Sequence, residues 1–257
     1  MIPLTLDNIT IFTFVFMRMT GCIFFNPILG RREFPNPFKV GLTILLTFTV
    51  MAYTTPQVPT PVLPIEYMVH LLFELLVGYV IGFIITLFIS VIAFGGEVID
   101  MQMGMSMSKV YDPQSNAQMS ISATFLNIMF IFLFLAANAH INLLNLFLIS
   151  ERLIPFGEMQ LPAGLAAMMM DLFCQCTILA VKLALPVIAM EKLLEIGVGI
   201  IMKAIPQINV FVINIQAKLL VGIIMLLVLF VPFSNFLDDM ITGVFENIDL
   251  ALGIIAS

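Results

Sequence analysis

The sequence predicts an all-α polytopic membrane protein of about six hydrophobic helices joined as hairpins. Composition is the first reason. Of 257 residues, 61% are hydrophobic and only 10% charged, whereas a soluble domain carries roughly 45–50% apolar and about 25% charged residues. So few charges cannot cover a soluble surface of this size, so lipid or neighbouring subunits must cover it. The second reason is the length of the apolar runs, and the third is the proline and glycine punctuation between them.

The segments follow in order. The first runs from Ile9 to Leu29; no basic residues precede it and Asp7 stands there instead, so it reads as a retained span and not a cleaved signal. The others are Val40 to Thr55, Ile65 to Phe94, Ser120 to Ile149, Ala163 to Met190 and Ile208 to Phe233. The second is short for a helix that needs about 20 residues to cross, and the third and fourth are long, which predicts tilts or breaks. Met240 to Ile255 carries Glu246 and Asp249 and reads as an amphipathic terminal helix. Asn26-Pro27 and Phe34-Pro35-Asn36-Pro37 separate the first two segments. Pro56, Pro59, Pro61 and Pro64 make a stiff linker before the third, and Pro155 and Pro162 frame the loop before the fifth. No composition shift divides the chain, so residues 1–257 are expected to form one membrane domain.

Lys and Arg set the orientation. Odd-numbered loops hold Arg31, Arg32, Lys39, Lys109, Lys192 and Lys203, while the termini and even loops hold only Arg152. The odd loops are therefore expected on the cytoplasmic side. The net charge of -6 leaves no basic stripe for nucleic acid.

Chemistry inside the spans rests on few residues. Arg18, His70, Glu74, Asp171, Lys182 and Lys218 are ionisable groups within apolar segments, where charge is costly. They read as a proton or ion relay, or as structural pairs between helices, and the second reading is favoured because such groups need partners whatever the function. Gly78-Tyr-Val-Ile-Gly82 is a small-residue step that lets a second helix backbone approach. Cys22, Cys174 and Cys176 read as buried bystander thiols, since Cys174-Gln-Cys176 has the wrong spacing for a redox or zinc motif. With only His70 and His140, no zincin motif, no nucleophile elbow and no P-loop, no catalysis, metal or cofactor is expected.

The third loop, placed at Gly95 to Gln114, has methionine at every second position: Met101, Met103, Met105 and Met107. In an extended chain these would present one soft, polarizable face. Methionine as simple gap filler reads equally well on composition, with 19 in the chain.

At this loop Gly96-Glu97-x-x-Asp100-x-Gln102-x-Gly104, followed by Asp112-Pro113, resembles the FliR family of flagellar export-gate proteins, whose injectisome relatives are called SctT. Arg18-x-x-Gly21 with Pro27 and Pro35-Asn36-Pro37-Phe38-Lys39 resemble that family's first hairpin. Glu74-x-x-x-Gly78-x-x-x-Gly82 resembles its third span. Pro186, Pro206-Gln207-x-Asn209-Val210-Phe211 and Lys218 resemble its C-terminal half. The resemblance covers nearly the whole chain in order.

It implies a subunit of a protein-conducting gate in the bacterial inner membrane and flagellar basal body, and one that is not an enzyme. FliP and FliQ homologues would be its partners, with FlhB and FlhA homologues beside them and unfolded exported proteins passing through. Much of the apolar surface would then be buried against those partners, with membrane lipid covering the rest. It further implies a plug at residues 104–118, including Gly104, Asp112 and Pro113, with Met101, Met103, Met105 and Met107 as a compliant seal. Arg18, Glu74, Gly78, Gly82, Asp100, Gln102, Pro206, Asn209 and Lys218 would serve structure and assembly. The alternative is a secondary transporter using the intramembrane charges, although the two halves show no internal repeat of the kind such folds carry.

Overall fold

A computed structural model describes residues 6–31, 34–53, 64–105, 120–157, 162, 164–204 and 210–256. Eight helices account for nearly all of these residues, and no strand occurs among them. The protein is an all-α polytopic membrane protein.

Helix α1 (Leu6–Phe24) stops before Asn26-Pro27, where the Asn26 side chain accepts from Ile28 N at 2.8 Å and Leu29 N at 3.3 Å and turns the chain. Helix α2 (Asn36–Tyr53) opens with Pro37 in its first turn, a place where a missing N–H costs nothing. Lys39, almost fully buried, donates back to Gly30 O at 2.9 Å and closes the α1–α2 turn.

Helix α3 (Pro64–Gln102) has 39 residues, about twice the length needed to cross a ~30 Å hydrocarbon core. Helices α4 (Ile121–Ala136) and α5 (Ala139–Leu153) divide the expected fourth segment. The break is at Ala137 and Asn138, where Asn138 takes the left-handed conformation with φ 56° that asparagine tolerates. Helix α6 (Gly164–Ala204) has 41 residues and continues through Pro186. Helices α7 (Val210–Val228) and α8 (Phe230–Ala256) meet at Leu229.

The six expected apolar segments are thus distributed over eight helices. Among the described residues α3 and α6 are long and apolar enough to cross a membrane, and the count rises to four if α4–α5 and α7–α8 are each one bent span. The expected ends move as well. Gly95-Gly96 does not terminate α3, and Met190 does not terminate α6. Sequence hydropathy registers where a run is apolar, while a helix continues for as long as packing or hydrogen bonding supports its next turn.

The chain forms two compact units. The first comprises residues 1–87, 138–172 and 242–257, with a core around Phe14, Met19, Ile81, Ile84, Phe147 and Leu252. The second comprises residues 88–137 and 173–241, with a core around Ile92, Ile99, Met103, Phe130, Val187 and Leu237. Outside these cores many large apolar side chains are bare, among them Phe48, Phe132, Leu193 and Leu227. α8 is amphipathic as expected, burying Met240, Val244, Ile248, Ala251 and Ile255 and exposing Glu246 and Asp249.

Candidate functional site

In the first unit, α1 and α3 touch backbone to backbone. A β-carbon on Gly78 would lie 2.6 Å from Cys22 N and 2.8 Å from Gly21 Cα, and one on Gly82 would lie 2.7 Å from Phe25 O. The glycine step therefore does what its spacing predicts, with Gly21 as the matching small residue on α1. Phe25 meets Tyr79 edge to face at 4.9 Å.

This close approach brings Arg18 to Glu74, one helical turn before Gly78. Arg18 Nε donates to Glu74 Oε2 at 2.6 Å, and neither side chain is accessible to solvent. The other groups around the pair come from the turn after α5. Arg18 Nη1 donates to Ile154 O at 2.9 Å, and Gly157 N donates to Glu74 Oε1 at 3.0 Å. The guanidinium also lies over the Phe156 ring, 4.1 Å from its centroid. Gly157 has φ 82°, a conformation that suits glycine and turns its N–H onto the carboxylate. Two charges from distant segments thus fasten a loop that neither adjoins in sequence.

The second unit holds a comparable clasp. Asp100, buried near the end of α3, accepts from Ile121 N at 2.7 Å (Oδ2) and Ser122 N at 3.2 Å (Oδ1). Ser120 Oγ accepts from Ala123 N at 3.1 Å. Together the two side chains satisfy the first three amides of α4, and the carboxylate lies at the positive end of the helix dipole. Gly96, one turn earlier on α3, lets Ala123 approach; a β-carbon there would lie 2.7 Å from Ala123 Cβ. The Gly96 to Asp100 spacing thus serves one helix contact. The start and the end of the 101–120 stretch are held at one point.

Asp100→Ala should leave the buried Ser122 amide and the part-buried Ile121 amide without an acceptor, a loss of about 1–3 kcal/mol for the buried group. Hydrogen exchange at Ile121 and Ser122 should accelerate. Unchanged protection at those two amides would remove the clasp from consideration.

Over its described part the methionine series does not form an extended face. Met101 lies in the last turn of α3 and is exposed, Met103 lies in the turn after Gln102 at 0% exposure, and Met105 occupies a further helical turn. Alternation requires a strand, and here the backbone passes from the last turn of α3 into a tight turn. Met103 instead packs on Gly222 of α7, where a β-carbon would lie 2.7 Å from its sulfur. Gln102 is half-buried at the end of α3, and Gly104 has φ 76°. Met107, Asp112, Pro113, Pro206 and Asn209 lie outside the described residues.

Lys218 bonds Glu195 of α6, which also accepts from Lys192 at 2.9 Å. Asp171 and Lys182 are exposed. Of the cysteines, Cys22 and Cys176 are buried as expected, whereas Cys174 is exposed. Sequence reading missed Glu195, Phe156, Gly157 and Gly222. Only Glu195 carried a signal, an acidic group three residues after Lys192 on one helix face.

Residues 9–244 match the family described as bacterial export proteins, family 1. The chain is 32% identical over 232 residues to the flagellar biosynthetic protein FliR of Bacillus subtilis (strain 168), covering 87% of each chain. It is 28% identical to FliR of Pectobacterium carotovorum subsp. carotovorum, over 91% of this chain and 90% of that one. With FliR of Escherichia coli (strain K12) the identity is 26%, over 90% and 88% respectively.

Proposed function

This chain belongs to family 1 of the bacterial export proteins, the family of the flagellar biosynthetic proteins FliR, and on that premise we propose that it is a subunit of the flagellar protein-export gate. It forms, with FliP and FliQ homologues, the channel through which unfolded flagellar proteins leave the cytoplasm. FlhB and FlhA homologues adjoin it. The assembly resides in the inner membrane at the flagellar basal body. The chain supplies packing surfaces and a seal, and performs no catalysis.

The observation that carries this reading is the Asp100 clasp. Asp100, near the end of α3, holds the first amides of α4, so the two helices that flank the connecting segment are fastened to each other. A segment held at its base can occupy a channel and leave it without disturbing the helices that anchor it. Met101, Met103 and Met105 stand at that base, and thioether side chains conform to changing shapes. The many bare apolar side chains support the reading too, since partner subunits and lipid would cover them.

Replacing residues 104–118 with a short Gly-Ser linker, leaving Asp100 and Ser120 in place, is the direct test. The complex should assemble with FliP and FliQ and conduct small ions when reconstituted in planar bilayers. Unchanged conductance together with unchanged export would exclude the plug. A monomer or homo-oligomer on purification would favour the transporter reading instead.

A further inference from the structure

Glu191 of α6 is the one ionisable side chain among the described residues that is fully buried and lacks any hydrogen bond at both carboxylate oxygens. An ionised carboxylate in that state loses its hydration and gains nothing in return. The charged groups whose fields reach it are Lys218 from α7 and Glu195 and Lys192 from its own helix. Lys218 would be its natural counter-ion, yet Lys218 is bonded to Glu195, one helical turn away, and Glu195 already has Lys192. Two carboxylates therefore share the reach of one lysine, and the carboxylate nearer water holds it.

We propose that Glu191 is a proton-binding site whose occupancy decides which carboxylate Lys218 engages. With the proton bound, Glu191 is a neutral acid that tolerates burial, and Lys218 rests on Glu195. Loss of the proton to water leaves a buried anion, which draws the ammonium from Glu195 to Glu191, while Glu195 keeps Lys192. The four groups change from a net charge of one positive to zero, and no bond other than O–H is broken. The ligand is a proton because the carboxyl is closed to larger species, and among the described residues no three acidic, histidine or cysteine side chains are grouped to hold a metal. The exchange swings the Lys218 ammonium by one turn of the facing helix, which its flexible four-carbon stem allows. None of this rests on the gate reading.

The test is infrared difference spectroscopy on the full chain, co-purified with its partners and held in lipid nanodiscs. At pH 7 the wild type minus Glu191→Gln spectrum should show a protonated-carboxyl carbonyl band that shifts in D2O and fades as the pH is raised. Glu195→Gln should abolish the band at pH 7, because Lys218 is then free to pair with Glu191. Lys218→Met should preserve it to higher pH. Absence of the band in wild type, together with loss of partner co-purification in Glu191→Gln, would mean an ionised group paired across an interface and would overturn the proposal. A band indifferent to both Glu195→Gln and Lys218→Met would overturn the exchange. If Glu191→Gln does not fold, the spectra of those two variants against wild type still decide the matter.

Discussion

Glu74→Ala is expected to destabilise the chain by about 3–5 kcal/mol, the usual cost of stranding one member of a buried ion pair. Its partner Arg18 has no accessible surface and would keep only the Ile154 carbonyl and the face of Phe156. Gly157 N would lose its acceptor at the same time. Arg18→Ala should cost a similar amount, leaving the Glu74 carboxylate with one neutral donor. The decisive comparison is Arg18→Met with Glu74→Leu. Removing both charges removes the desolvation penalty, so the double variant should recover much of what either alanine loses. Denaturation of the purified chain in detergent checks all three. The proposed assembly role adds a second readout, because loosening the Ile154–Gly157 turn should reduce co-purification with FliP and FliQ homologues. Intact co-purification of both alanine variants would leave the pair a private matter of this chain's own fold.

That pair shows how far the sequence could be read. Arg18 and Glu74 stood out because charge inside apolar segments demands a partner, and the two are each other's partner. Their remaining partners were not legible. Ile154 and Gly157 contribute backbone groups, which any residue carries, and Phe156 is one of 24 phenylalanines with nothing to mark it. Asp100 was visible only through the resemblance. Its physical role, accepting from two amides at the start of α4, became clear once α4 was seen to begin at Ile121.

The methionine series stayed open between an extended face and gap filling for a specific reason. Spacing by two implies one face only if the backbone is extended, and Gly95-Gly96 suggested a loop had begun. Helix α3 instead continues to Gln102, because Gly96 is packed against Ala123 and Asp100 is engaged by α4. The same limit explains why the breaks in the fourth and sixth segments were not placed. An apolar window cannot distinguish a straight crossing from a run broken at Asn138 or Leu229, since those breaks depend on backbone torsions that hydropathy does not record.

Gly78→Ala should also be destabilising, and through the same pair. On propensity alone an alanine in mid-helix gains about 1 kcal/mol over glycine. Against that, its β-carbon would meet the backbone of α1 at Arg18 O, Cys22 N and Gly21 Cα. Backbone cannot rotate aside as a side chain can, so α1 must move, and overpacking of this kind costs about 1–3 kcal/mol. The movement falls on the residue that matters most, because Arg18 supplies both the obstructed carbonyl and the guanidinium held by Glu74. Gly78→Ala should therefore couple to the ion pair, costing less in the Arg18→Met, Glu74→Leu background than in wild type by about 0.5–3 kcal/mol. Gly41→Ala in α2 is the control, since nothing lies within 4 Å of a β-carbon there, and it should leave stability unchanged or raised. If Gly78→Ala behaves like Gly41→Ala, α1 and α3 do not approach as closely as described, and the clamp that brings Arg18 to Glu74 must be sought elsewhere.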